Sequence, residues 1–323
     1  MRLCNYSSEN ELCGVEPVQA GVELEDGILP LAIMLRNPIA LRLQGGVPLP
    51  LGFRIGDTNN INELPLWLEE LKDPDPNRME IVPALNPHKV IFHPPVAHPG
   101  CVRVFSSFEE PAKTTSAKLG KSLSQTRNDS PAYHYANPGG LLGHGAALAI
   151  PDFGRQLDLE PQIAAIIGHG GRDIPVEEAD AYIAGFCILN DWCLRDLEEK
   201  DYAAGCRSAK CRDFATSLGP YLVTPDELVE RVDGKGFDLE MIARINGKEI
   251  WRGNWKNANH SFAEMVSYAS RGVSLQPGDI FSGGPAGGSL AALGTTGDQD
   301  WLQAGDSVEI EVERLGTLMN TLV

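Results

Sequence analysis

The stretch LDLEPQIAAIIGHGGRDIP, followed by ILNDWCLRD, carries the side chains best suited to chemistry in this chain. Glu160 and Gln162 stand two residues apart in a strand-like segment, so both point to the same face. Asp191 lies on a second strand-like segment. Two carboxylates and an amide oxygen brought together would make a hard-cation site, since Mg²⁺ and Mn²⁺ take oxygen ligands. The weak point is Gln162, which offers a neutral carbonyl where a carboxylate would offer charge.

The elements that would position these residues are short. From Cys101 onward, β-like runs such as IAAIIG, FCILN, YLVT, LEMIARING and SVEIEVE alternate with turn signals NGK, PGD and AGD. Three helices are predicted, over VEEADAYIAGF, TPDELVERV and SFAEMVSYASRG. The last has Phe262, Met265, Val266 and Ala269 at helical spacing and Gly272 as its stop. Before this, residues 1 to 90 mix short apolar runs with Pro and Gly, and LPLWLEEL has helical spacing. The proline-rich HKVIFHPPVAHPG reads as a linker, and KSLSQTRND as a polar loop. The division is therefore 1–90, a small N-terminal domain, and 91–323, a β-rich domain with a few peripheral helices, an α+β class.

The chain has 323 residues and a net charge of −17. Such a charge repels nucleic-acid phosphates and requires a local basic pocket for any anionic substrate. The opening residues lack the apolar core of a secretory signal, and no apolar stretch is long enough to span a bilayer. The expectation is a cytoplasmic protein with no nucleic-acid or membrane partner. Its seven cysteines include no CxxC pair and are read as reduced thiols. Cys206 and Cys211 read as surface-loop residues in a basic segment.

Several segments together resemble the fumarylacetoacetate hydrolase family: GGRDIP, NDWxxRD, DFATSLGPYLVTPDEL, LQPGDIFSGGPAGG and SVEIEVERLGTL. They occur in family order over roughly residues 88 to 323. The resemblance implies a small N-terminal domain, a mixed β-roll catalytic domain and a homodimer. It also implies metal-assisted chemistry on oxo acids or 1,3-dicarbonyl compounds: C–C bond hydrolysis, decarboxylation or double-bond isomerisation. The family's divalent ion (Mg²⁺, Mn²⁺ or Ca²⁺) is held by an ExE pair, the first Asp of NDxxxRD and, in many members, an earlier acid. Carried over, these positions are Glu160, Gln162, Asp191 and Val104. The family's histidine base falls on Pro111, its lysine on Arg212, its glutamine after ARD on Glu198, and the threonine of its late SGT turn on Gly284.

Physically, the departures weaken a cation site and remove a water-activating base. Glu109 and Glu110 are the nearby groups that could replace the base. Arg212 could hold a substrate carboxylate or oxyanion in a bidentate fork. Arg195 reads as an ion-pair partner of Asp196 beside the site, or as a substrate contact. Tyr202 and Lys210 lie in a lid-like segment, and His134 in a substrate-lining stretch. The amides of Gly283 and Gly284 could face an anion, or simply form a tight turn. His169 reads as a solvated loop residue and His260 as a core or dimer contact. Three functions stay open. One is an enzyme of enol(ate) chemistry on a small, anionic dicarbonyl or oxo acid, with a weakly held Mg²⁺ or Mn²⁺ and no organic cofactor. The second is a metal-free cyclase or isomerase of specialised metabolism. The third is a ligand-binding homologue without turnover.

Overall fold

The computed structural model describes residues 1–10, 14–15, 19–25, 27–30, 85–109, 130–206, 209–294 and 300–323. Among these, sheet dominates and helices are few. The larger sheet contains β1 (Arg2–Asn10), β2 (Gln19–Leu24), β3 (Gly27–Pro30), β4 (Val90–His93), β5 (Val102–Phe105) and β6 (Tyr133–Ala136). It continues with β7 (Pro161–Ile167), β8 (Ile183–Asp191), β9 (Thr216–Val223) and β10 (Ile280–Ser282). Their order across the sheet is β3-β2-β1-β9-β8-β7-β10-β5-β6, with β4 on the other edge of β1. A second sheet of five strands is built mainly from Lys248–Asn254, Glu240–Ile245, Ser307–Val312 and Gly316–Leu322.

The central strand β7 is apolar at consecutive positions because both of its faces are covered. Ala164 and Ile166 pack with Val104, Cys187, Leu189, Leu218 and Ile280. Ile163, Ala165 and Ile167 point the other way, into a cluster with Phe186, Phe281 and the helix Phe262–Ser270. That helix is the one expected over SFAEMVSYASRG. Its start is fixed by a capping box, in which the Ser261 hydroxyl accepts from the Glu264 N–H and Glu264 accepts from the Ser261 N–H.

Three expectations about elements are corrected. VEEADAYIAGF is not one helix: Val176–Tyr182 is 3-10, and Ile183 already belongs to β8. TPDELVERV forms two 3-10 turns, Pro225–Glu227 and Val229–Arg231. The segment read as a linker contains β4, which pairs with β1 in register Tyr6 to Phe92. β1 in turn pairs with β9, so the first residues belong to the same sheet as the central strands. LPLWLEEL and KSLSQTRND lie outside the described residues.

Candidate functional site

The antiparallel pairing of β7 and β8 sets Pro161 opposite Asn190. It therefore places Glu160, just before β7, beside Asp191 at the end of β8. The Asn190 side chain fixes this end by accepting the Glu160 N–H at 2.8 Å, and the Asp191 N–H donates to the Glu160 carbonyl at 3.3 Å. After Asp191 the chain enters α1 (Arg195–Ala203), where Arg195 and Glu198, three residues apart, share one face. The following loop returns to α1: the Asp201 carboxylate accepts the N–H groups of Ala209 and Cys211. This carries Arg212 back over the end of the sheet.

The result is a buried cluster of two guanidiniums and four carboxylates. Arg212 Nη1 lies 2.5 Å from Glu160 Oε2 and 2.9 Å from Asp191 Oδ2. Its Nη2 donates to Glu160 Oε1 at 2.7 Å and Glu198 Oε1 at 2.8 Å. Arg195 donates to Asp158 at 2.7 Å, Glu198 at 2.7 Å and Glu160 at 2.8 Å. Asp158 also accepts the N–H groups of Leu159, Leu290 and Ala291. The side chains of Asp191 and Asp158 are fully buried, while Glu198, at 14% exposed, is the carboxylate nearest the solvent.

Carboxylates outnumber guanidiniums in this cluster, so they do not share stabilisation equally. Burial opposes the charge on Glu160, but Arg212 and Arg195 outweigh it and hold the carboxyl below its ordinary range. Burial likewise opposes Glu198, and the same two arginines bring it down to about 2. Burial pushes Asp191 up to about 6, since of the two arginines it meets only Arg212 directly.

The fit to a divalent ion is poor in this arrangement. The space between Glu160 and Asp191 is filled by the Arg212 guanidinium. Gln162 accepts the Ser282 hydroxyl on its carbonyl oxygen and turns its amide nitrogen to Glu160 Oε2 at 3.3 Å. A carboxylate can only accept, so this amide orientation is the favourable one, and it aims a donor where a cation would need an oxygen. Val104 adds only apolar surface, on β5 opposite Ser282 and two strands from β7. Among the described residues, no group of three or more His, Cys, Asp or Glu is disposed to hold a metal ion.

The other sequence candidates are dispersed. His134, half-buried, sits opposite Val104 on the edge strand β6. Tyr202 is half-buried on α1. Lys210 is exposed, paired with Asp213 at 2.8 Å and set over the Phe153 ring. Gly283 and Gly284 spend their N–H groups inside the fold, on the Ile163 carbonyl and the Ser282 hydroxyl. Gly284 has φ +83°, and an added Cβ would meet the Phe105 carbonyl oxygen at 1.9 Å. Glu109 is half-buried and follows Phe108, which packs in the Phe262 cluster on the other face of the sheet. Glu110 and Pro111 lie outside the described residues.

Arg195 does not pair with Asp196. Its guanidinium turns into the cluster, and Asp196 instead accepts the N–H groups of Arg155 and Gln156. Cys211 is buried, not a surface thiol, and its sulfur is in hydrogen-bond contact with that of Cys193. His169 is exposed, while His260 is mostly buried, its backbone N–H and carbonyl both bonded to the Ser107 hydroxyl. Asp158 was missed by sequence reasoning, although it stands two residues before Glu160 and shares its parity.

Residues 100–323 match the family model described as fumarylacetoacetate (FAA) hydrolase C-terminal. A maleylpyruvate hydrolase of Aquipseudomonas alcaligenes is 34% identical over 179 residues, 55% of this chain and 55% of that protein. A mitochondrial oxaloacetate tautomerase of Homo sapiens is 28% identical over 184 residues, 57% of this chain and 56% of that protein. The matched segment thus spans little more than half the length of these relatives. A solved fumarylacetoacetate hydrolase from Exiguobacterium antarcticum superposes with a TM-score of 0.69 at 21% identity, covering 99% of each chain, which bears on fold alone. With the family model spanning β5 to the final strand and the expected sheet architecture in place, the chain belongs to the fumarylacetoacetate hydrolase family.

Proposed function

We propose that this protein is an enzyme acting on a small 2-oxo acid or 1,3-dicarbonyl compound through its enol(ate), and that it interconverts isomers instead of hydrolysing a C–C bond. The observation that carries the reading is the pair of guanidiniums, Arg195 and Arg212, fixed among carboxylates at the end of β7 and β8. A rigid positive charge stabilises the oxyanion of an enolate without reorganisation, and it does so more strongly where water is excluded. Arginine stays protonated and cannot itself serve as the base, so the adjoining carboxylates are the groups able to move a proton. Water activation has less support, because the position of the family's histidine is Pro111. The names of two relatives point to substrates of this class, maleylpyruvate and oxaloacetate.

The test is an assay of purified protein on a panel of 2-oxo acids and acylpyruvates. Enol absorbance reports isomerisation, and chromatography reports cleavage products. The reading requires faster enol–keto interconversion with no cleavage. Cleavage products appearing at the faster rate would replace it with hydrolysis. A second reading, a ligand-binding homologue, is favoured by the way the guanidinium Nη groups are already engaged internally. Saturable binding without turnover on the whole panel would select it.

A further inference from the structure

We infer that Arg212 is a built-in cation: its guanidinium takes the place of a divalent ion between Glu160 and Asp191, and the site binds such an ion only when that side chain is removed. Three observations converge. First, one guanidinium reaches three carboxylates, with Nη1 on Glu160 and Asp191 and Nη2 on Glu160 and Glu198. Contacts of 2.5 to 2.9 Å leave no room for an ion between the same oxygens. Second, the neighbouring side chains are arranged in the same sense. Gln162 presents its amide nitrogen to Glu160 and gives its oxygen to Ser282. Glu198 adds a carboxylate on the side of the guanidinium that Glu160 and Asp191 do not cover together. A planar guanidinium offers five donors in a fixed fork, and three carboxylates around its edge suit it better than they suit an octahedral ion.

Third, the arginine reduces the excess of negative charge, which four carboxylates against two guanidiniums only partly offset. Four buried carboxylates with Arg195 alone would be far from neutral, and an unpaired buried charge is strongly unfavourable. With Arg212 present, a divalent ion entering the same space would meet a like charge within a few ångströms in a medium that screens poorly. The two cations are therefore alternatives, and the covalently attached one is always at hand. The Nε of Arg212 is buried without a hydrogen-bond partner, so its two Nη groups alone hold the guanidinium in place. The inference concerns cation binding and not turnover, so it stands or falls separately from the substrate class proposed above.

The experiment uses the full chain freed of metal by a chelator and then titrated with Mn²⁺, followed by electron paramagnetic resonance and by the thermal midpoint. Wild type is expected to show no stoichiometric Mn²⁺ site and an unmoved midpoint. Arg212→Ala is expected to start with a lower midpoint, to bind one Mn²⁺ at least about tenfold more tightly than wild type, and to regain part of its stability in doing so. A wild-type Mn²⁺ site that disappears in Glu160→Gln would overturn the inference. So would a folded Arg212→Ala that gains no site. If Arg212→Ala does not fold without metal, refolding it with and without Mn²⁺ decides the matter, since only a vacated cation site makes refolding depend on the ion. The wild-type titration is decisive in any case. Failure of the oxo-acid panel would leave these results untouched.

Discussion

Each side chain of the cluster answers to a different force. Arg195 holds three carboxylates through three different nitrogens, a pattern no ammonium can copy. Arg195→Lys should keep the charge yet lose about 3 kcal/mol of stability, read from the urea midpoint. A loss below about 1 kcal/mol would show that the charge alone matters. The acid limb has a defined sign. Glu198 is held at about 2 against an ordinary 4.5, so its contribution is full above about pH 4.5 and fades as pH falls toward 2. Asp191, raised to about 6 from 3.8, acts oppositely: protonation between those values favours the folded state. The cluster's contribution should therefore rise from pH 7 through pH 5 and be greatest near about pH 4, and Asp191→Asn should remove the rise from pH 7 to pH 5 in denaturation midpoints. An unchanged profile in that variant would reject the assignment. At this scale the sequence was partly legible. Strand parity pairs Glu160 with Gln162, and the same parity extends to Asp158. The role of Arg212 was not legible, because its reach to Glu160 across 52 residues depends on a loop folding back onto α1.

Elements were legible where they carry an apolar stripe and obscure where they do not. The helix Phe262–Ser270 buries Phe262, Met265, Val266 and Ala269, and its period is plain. α1 has no fully buried residue and is almost wholly charged or polar, so no stripe announces it; it is a helix because it spans the cluster through Arg195 and Glu198. VEEADAYIAGF failed in a different way. Pro175 starts a 3-10 turn, and the β-branched and aromatic residues that follow are taken by the central sheet. Removing the capping hydroxyl with Ser261→Ala should cost about 1 kcal/mol, measured by thermal or urea unfolding. Gly284→Ala should cost more, on the order of 3 kcal/mol, because it meets both the Phe105 carbonyl and a positive φ. A well-folded Gly284→Ala with unchanged midpoint would mean that this turn adopts another path.

For the whole molecule, the first residues contribute structure. Arg2 pairs with Glu23 and lies over the Tyr221 ring, while the Tyr221 hydroxyl bonds to Glu23. The N-terminal amine reaches Thr224 and Glu227. A boundary drawn at residue 90 from composition alone could not anticipate this, since strand pairing over two hundred residues leaves no local trace. Deleting residues 1–10 should expose an edge of β9 and promote aggregation, visible by light scattering during gel filtration. A monodisperse, equally stable truncation would contradict that role.

The contact between the Cys193 and Cys211 thiols supplies a reporter of how often the site comes apart. Both are buried, and Cys211 adjoins Arg212, whereas Cys206, five residues earlier, is exposed. A thiol-labelling reagent should modify Cys206 at once and reach Cys211 only during openings that lift Arg212 from its carboxylates. The Cys211 rate in the native protein, divided by its rate in the unfolded chain, then gives the free energy of that opening, with Cys206 as the control for reagent activity. Ligands that engage the cluster would slow the Cys211 rate while leaving that of Cys206 unchanged.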